Sequence, residues 1–142
     1  MWLYYISIAL AITANVFYHI VQKSTPTDTN PFVSLFVTYI TAAIACAVIY
    51  PFYPGSGNLL DSFKKLNWTG FALGIVIVGL EMGFLLAYRS GWNISSAGIF
   101  ANVIVALILI PVGALIFKEQ VRLADLAGIA LCIGGLLLIS RR

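Results

Sequence analysis

Residues 96–117 read SAGIFANVIVALILIPVGALIF and contain no charged side chain. The run is long enough for an α-helix to cross the bilayer core, which takes about 20 residues for roughly 30 Å. Its apolar residues do not alternate with polar ones, as the strands of a membrane β-barrel do. The run therefore predicts a membrane-spanning helix rather than a strand.

Four further apolar runs surround this one, so the sequence predicts five spans, at residues 2–21, 32–52, 69–88, 96–117 and 123–139. The composition agrees, because 61% of the residues are apolar and only 9% are charged. Soluble proteins average about 45–50% and about 25%. The predicted fold is an all-α, polytopic membrane helical bundle of five transmembrane helices, forming a single domain over residues 1–142.

The polar residues also exclude several classes of function. Eight Lys/Arg and five Asp/Glu are scattered, so no basic patch indicates a nucleic-acid partner. Cys46 and Cys132 lie in apolar runs, away from any second ligand at metal-binding spacing. Paired carboxylates and nucleophile–base sets are missing from the sequence. We therefore expect no catalytic residue, no metal and no cofactor, and hence not an enzyme.

The longest predicted loop, residues 53–67, contains an amphipathic segment. Leu59, Phe63 and Leu66 fall at i, i+4 and i+7, with charged residues between them. This spacing predicts a short helical turn that lies on the membrane surface.

The distribution of positive charges does not favour one orientation of the chain in the membrane. With five spans, each side of the membrane carries four Lys/Arg residues, namely Lys64, Lys65, Lys118 and Arg122 against Lys23, Arg89, Arg141 and Arg142. An excess of Lys/Arg on the cytoplasmic side normally sets topology. The even distribution predicts insertion in both orientations; the alternative is one orientation fixed by a partner or by the amphipathic loop.

The second half of the chain carries a recognisable order of motifs. FLLAYRSG at 84–91 leads to Ser95-Ser96-Ala97, an apolar helix with Pro111 near its end, Phe117-Lys118-Glu119, and GGLLLI at 134–139. In the first span, Asn15 is followed eight residues later by Lys23. This order resembles the EamA-type domain of the drug/metabolite transporter superfamily, over almost the whole chain.

The resemblance implies half of an inverted-repeat transporter. Most members carry two such five-helix domains in inverted orientation, and this sequence has one. It is similar to the single-domain, five-span bacterial and archaeal members, and it looks like a relative of the four-span small multidrug resistance proteins, which form antiparallel dimers. Those proteins place a membrane glutamate in the first helix, where Asn15 stands here, so their proton–drug exchange does not transfer directly.

Glu81 is the most informative polar residue. It lies about 4 Å from the middle of the third predicted span, by helix rise. A carboxylate at that depth faces a cavity, pairs with a cation or stays protonated. One interpretation is a substrate or proton site. The other is a neutral carboxyl that donates a hydrogen bond to another helix.

Other polar side chains could form a cleft with Glu81. In the first span Asn15 shares a helix face with Gln22 and with either Tyr18 or His19. His19 could titrate near neutral pH or anchor the helix at the membrane boundary. In the fourth span Asn102 follows Ser95 and Gly98 at helical spacing. With aromatic rings added, the predicted substrate- and proton-binding residues are Glu81, Asn15, Asn102, Tyr18, His19, Tyr39 and Tyr88.

Small residues and one proline indicate contacts and bending. Ala124, Gly128 and Cys132 form a small-xxx-small face in the fifth span, which predicts a dimer interface there. Pro111 frees the carbonyl of Leu107, and Gly113 follows it, so these two residues are a candidate hinge. We expect the first four spans to bound the cleft, with the fifth outside it or at the dimer seam.

These observations give a functional hypothesis with an alternative. The chain is predicted to be a secondary transporter, an antiparallel homodimer in membrane lipid that moves a small metabolite or organic cation, with proton coupling through Glu81. The predicted location is a bacterial or archaeal inner or plasma membrane, as a multi-pass protein. The alternative is a non-transporting or heteromeric accessory subunit of a membrane transport or flippase assembly.

Overall fold

A computed structural model describes residues 2–53, 58–120 and 122–140, and all its regular elements are helical. They are α1 (Trp2–Ser24), α2 (Pro31–Ile49), a 3-10 turn (Tyr50–Phe52), α3 (Leu59–Lys64), α4 (Trp68–Arg89), α5 (Ile94–Ile116) and α6 (Leu123–Ser140). The prediction of an all-α fold is confirmed.

Two asparagines define the starts of long helices. The side chain of Asn30 accepts a hydrogen bond from the backbone N–H of Phe32 at 2.9 Å, and Pro31 occupies the first turn of α2. The side chain of Asn67 accepts a bond from the backbone N–H of Thr69 at 3.0 Å, at the start of α4. Both satisfy N–H groups that a helix leaves without an internal partner.

The amphipathic segment of the longest loop is a helix. α3 spans Leu59–Lys64, with Asp61 in its first turn and Lys64 in its last. Their side chains form an exposed ion pair at 3.8 Å. The helical prediction is confirmed here, whereas its position on the membrane surface stays a prediction.

α5 continues through its proline and ends in a sharp turn. Pro111 lies inside the helix, which extends to Ile116. Beyond it, Lys118 adopts a left-handed conformation with φ of 55°. The backbone N–H groups of Phe117 and Glu119 both donate to the carbonyl of Gly113, at 3.1 and 3.0 Å. This turn satisfies a terminal carbonyl before α6 begins.

The helices suit lipid rather than water. Four segments are long and apolar enough to cross a membrane, namely Trp2–Ser24, Pro31–Phe52, Trp68–Arg89 and Ile94–Ile116. Large apolar side chains on them are widely exposed, for example Phe71 at 77% and Leu115 at 81%. The apolar part of α6 is shorter, Ala124–Leu138, so the fifth span stays a prediction. The chain is a multi-pass membrane protein.

The helices belong to two compact units. The first holds the described residues up to Ile20 and from Ser90 onward, and in it α5 packs against α6. The second is Val21–Arg89, in which α2 packs against α4 and against the 3-10 turn. The last residues of α1 therefore belong to the second unit.

Candidate functional site

A cavity of about 650 Å³ lies between α1 and α5 in the first unit. Isoleucines and other aliphatic side chains form most of its wall. Its polar lining residues are Asn15, His19, Ser95 and Asn102. Three of the predicted site residues, Asn15, His19 and Asn102, thus line one cavity. Its volume is within the roughly 300–1,000 Å³ range of small-molecule sites.

The structure decides between Tyr18 and His19 for this cavity. His19 lines it and is buried, whereas Tyr18 is not among the lining residues. The two rings meet edge to face, with centroids 5.2 Å apart. A Cβ added at Gly98 would lie 3.6 Å from Nε2 of His19, so the imidazole lies close to the backbone of α5. Tyr18 supports the imidazole from outside the cavity.

A second cavity of about 380 Å³ lies between α5 and α6. Asn102 lines this cavity as well as the first, and Cys132 and Asp125 line its other parts. The carboxylate of Asp125 accepts a hydrogen bond from the backbone N–H of Arg122 at 2.8 Å, at the start of α6. No described residue of α6 lines the larger cavity between α1 and α5.

Glu81, Tyr39 and Tyr88 lie in the second unit. Glu81 is only 9% exposed, and among the described residues no cation lies within ion-pair distance of its carboxylate. Its backbone carbonyl accepts a hydrogen bond from Nε2 of Gln22 at 3.0 Å. The hydroxyl of Tyr39 is buried without a hydrogen-bond partner among the described residues. Tyr39 lies on α2, which packs against α4, the helix of Glu81.

The ring of Tyr88 already has a cation of this chain beside it. Nζ of Lys23 lies 5.5 Å from the ring centroid and donates to the backbone carbonyl of Tyr88 at 3.3 Å. The ring of Tyr88 also stacks on the ring of Phe84, with the two centroids 6.1 Å apart. A ligand cation at this ring would therefore compete with Lys23.

The candidate hinge and dimer residues differ in their surroundings. Gly113 is buried, and a Cβ added there would lie 2.5 Å from Oε2 of Glu119, so the side chain of Glu119 covers it. Ala124, Gly128 and Cys132 are exposed on α6. A Cβ added at Gly128 would meet nothing within 4 Å. Gly128 is therefore open to close approach by another helix, whereas Cys132 also lines the second cavity beside α5.

The chain matches one protein family over nearly its whole length. The EamA-like transporter family covers residues 2–141. The chain belongs to the EamA-like transporter family. Neither the curated proteins nor the solved structures contain a significant match to it. Membership confirms the resemblance and gives this EamA-like chain a membrane transporter-type function.

The sequence did not indicate Lys23 or Asp125 as site residues of this EamA-like chain. In the structure, Lys23 contacts Tyr88 and Asp125 lines the second cavity. Both contacts join residues on different helices, which helical periodicity does not relate. The apolar wall of the first cavity did leave a signal, since Ile8, Ile12, Asn15 and His19 fall on one face of α1.

Proposed function

We propose that the EamA-like chain is a secondary transporter that moves a small metabolite or organic cation across the membrane. The observation that carries the proposal is the cavity between α1 and α5, where Asn15, His19 and Asn102 come together. A largely aliphatic cavity with a few convergent polar groups is typical of small-molecule sites.

Glu81 is the proposed proton site. A carboxylate buried without a cation is costly, so the group either holds a proton or binds a cationic ligand. One carboxylate cannot do both at once, which would couple proton release to ligand binding. The part-buried amide of Gln22 bonds to the backbone carbonyl of Glu81 and not to its carboxyl group.

The proposed active unit is an antiparallel homodimer in a bacterial or archaeal inner or plasma membrane. The even distribution of Lys/Arg and the open face of α6 at Gly128 support this assembly. Two inverted copies would give ten predicted spans, and rocking between inverted units alternates access in many transporters.

A thermal-shift screen of metabolites and organic cations at two pH values tests the proposal. Wild type is compared with Glu81→Gln, and Asp61→Asn is the matched control, because Asp61 is an exposed carboxylate on α3. We expect ligands that stabilise wild type and Asp61→Asn and release protons on binding, with no proton release from Glu81→Gln. Equal proton release from all three proteins would contradict the role of Glu81. An absence of any stabilising ligand would favour an accessory subunit.

A further inference from the structure

His19 is the one titratable side chain among the described residues that line the cavity between α1 and α5. Among the described residues that line it, none is Asp, Glu, Lys or Arg. A charged ligand that enters this cavity loses its hydration and finds no carboxylate, Lys or Arg side chain to pair with. Burying an unpaired charge in an apolar environment costs free energy. The lining therefore favours an uncharged ligand over the organic cation that Glu81 alone would suggest.

Two amides in this cavity lack partners. No hydrogen bond joins the side chain of Asn15 or of Asn102 to another described residue. Each amide offers two N–H donors and one carbonyl acceptor. In a membrane such groups need partners, because water is scarce at that depth. A ligand with both a donor and an acceptor on one planar group would satisfy an amide reciprocally.

We propose that this cavity binds an uncharged molecule with a carboxamide-like group on an apolar body. The apolar body would contact the isoleucine wall, and the carboxamide would bond Asn15 and Asn102. The inference deepens the proposed function, on which it rests, by naming the substrate class. Such a ligand carries no charge and does not compete with a proton for Glu81, which does not line this cavity.

Three isosteric probes test the charge preference directly. Benzamide is neutral, benzamidinium is a cation and benzoate is an anion, and the three have nearly the same shape. Their binding to the purified full chain is measured by ligand-observed NMR, which detects weak ligands. We expect benzamide to bind wild type at least about tenfold more tightly than either charged probe. Equal or tighter binding of benzamidinium, or no binding of benzamide, would overturn the proposal.

Two variants locate the bound benzamide. Gly98→Leu extends a side chain toward His19 and fills the cavity, and Gly74→Leu is the control, because a Cβ at Gly74 meets nothing within 4 Å. We expect Gly98→Leu to lose benzamide binding and Gly74→Leu to keep it. Benzamide binding that survives in a folded Gly98→Leu protein would overturn the proposed location.

Asn102→Asp keeps the test decisive if Gly98→Leu does not fold. This substitution keeps the shape of the side chain and introduces a carboxylate. We therefore expect the ratio of binding affinities to shift from benzamide toward benzamidinium by about tenfold. An unchanged preference would overturn the role of Asn102. Failure of the transporter proposal would look different, since benzamide would still bind the cavity but proteoliposomes containing the protein would not take benzamide up faster than empty ones.

Discussion

Arg89 shows how a single residue organises the start of the second unit. Its Nη2 donates to the backbone carbonyls of Pro26 and Thr29, at 2.9 and 2.7 Å. Together with Lys23 on the carbonyl of Tyr88, it fastens the α1–α2 connection to the end of α4. Cations near the C-terminal end of a helix are also favoured by its dipole. Lys23 and Arg89, which were counted above among the charges that set membrane orientation, therefore also have a structural role.

Replacing Arg89 by Lys should loosen this connection. Lysine keeps the charge but lacks the planar guanidinium that reaches two carbonyls, so we expect a loss of about 1 kcal/mol in stability. Thermal unfolding in detergent measures the loss, and limited proteolysis should show faster cleavage within residues 25–30. The control is Lys65→Arg on the α3–α4 connection. Unchanged unfolding and proteolysis would show that the two hydrogen bonds contribute nothing.

Residue-scale contacts were the hardest to predict. Tyr18 and His19 are adjacent, and helical spacing alone allowed either one on the face of Asn15. The structure selects His19 because Gly98 leaves room for its ring beside α5. Likewise, the sequence indicated both Glu81 and Tyr39 as site residues, but not that their helices α4 and α2 pack against each other. Such pairings depend on packing between helices, which composition and periodicity do not encode.

The positions of the helices could largely be predicted from the sequence. Long apolar runs located α1, α2, α4 and α5, and the i, i+4, i+7 pattern located α3. The ends of the helices were less predictable. α1 continues to Ser24, three residues beyond the predicted span. Polar residues such as Gln and Lys continue a helix as readily as apolar ones. Pro111 did not end α5, since a membrane helix tolerates a proline whose freed carbonyl is satisfied elsewhere.

Pro111→Ala tests whether α5 bends during transport. Alanine restores the N–H that proline lacks, so α5 should become straighter and at least as stable. If the proline is a hinge, we expect slower transport at unchanged ligand affinity. Transport in proteoliposomes and the thermal-shift affinity separate the two effects. Wild-type transport by Pro111→Ala would show that any bend at this position is static.

Gly128→Leu tests the proposed dimer face on α6. A leucine there would hold a partner helix away, so we expect dimerisation about tenfold weaker, or roughly 1.4 kcal/mol. Gly134→Leu is the control, because Gly134 is also exposed on α6 and has nothing within 4 Å of an added Cβ. The oligomer mass is measured in detergent across a concentration series. Equal dissociation of both variants would exclude Gly128 from the interface.

The whole molecule belongs to a known transporter family, but its charges do not favour one orientation in the membrane. The EamA-like match over residues 2–141 gives the transporter-type function, and the sequence gives four Lys/Arg on each predicted side. The proposed assembly is inferred from the even distribution of Lys/Arg and from the open position of Gly128 on α6. The antiparallel homodimer is therefore the prediction that most needs a measurement in cells.

Labelling of the two termini in intact cells tests dual topology. Cys46 and Cys132 are first replaced by alanine, and one cysteine is added at either terminus. With both orientations present, a membrane-impermeant reagent should label roughly half of the molecules at each terminus. Labelling of one terminus in every molecule and of the other in none would contradict dual insertion.

The most direct test of the central claim measures proton movement in proteoliposomes. A ligand selected by the thermal-shift screen is applied as a gradient, and an enclosed pH-sensitive dye follows the protons. We expect ligand-driven proton flux for wild type and Asp61→Asn, partial flux with a shifted pH profile for Glu81→Asp, and none for a folded Glu81→Gln protein. Wild-type flux with unchanged pH dependence from Glu81→Gln would contradict proton coupling through Glu81 and remove Glu81 from the mechanism.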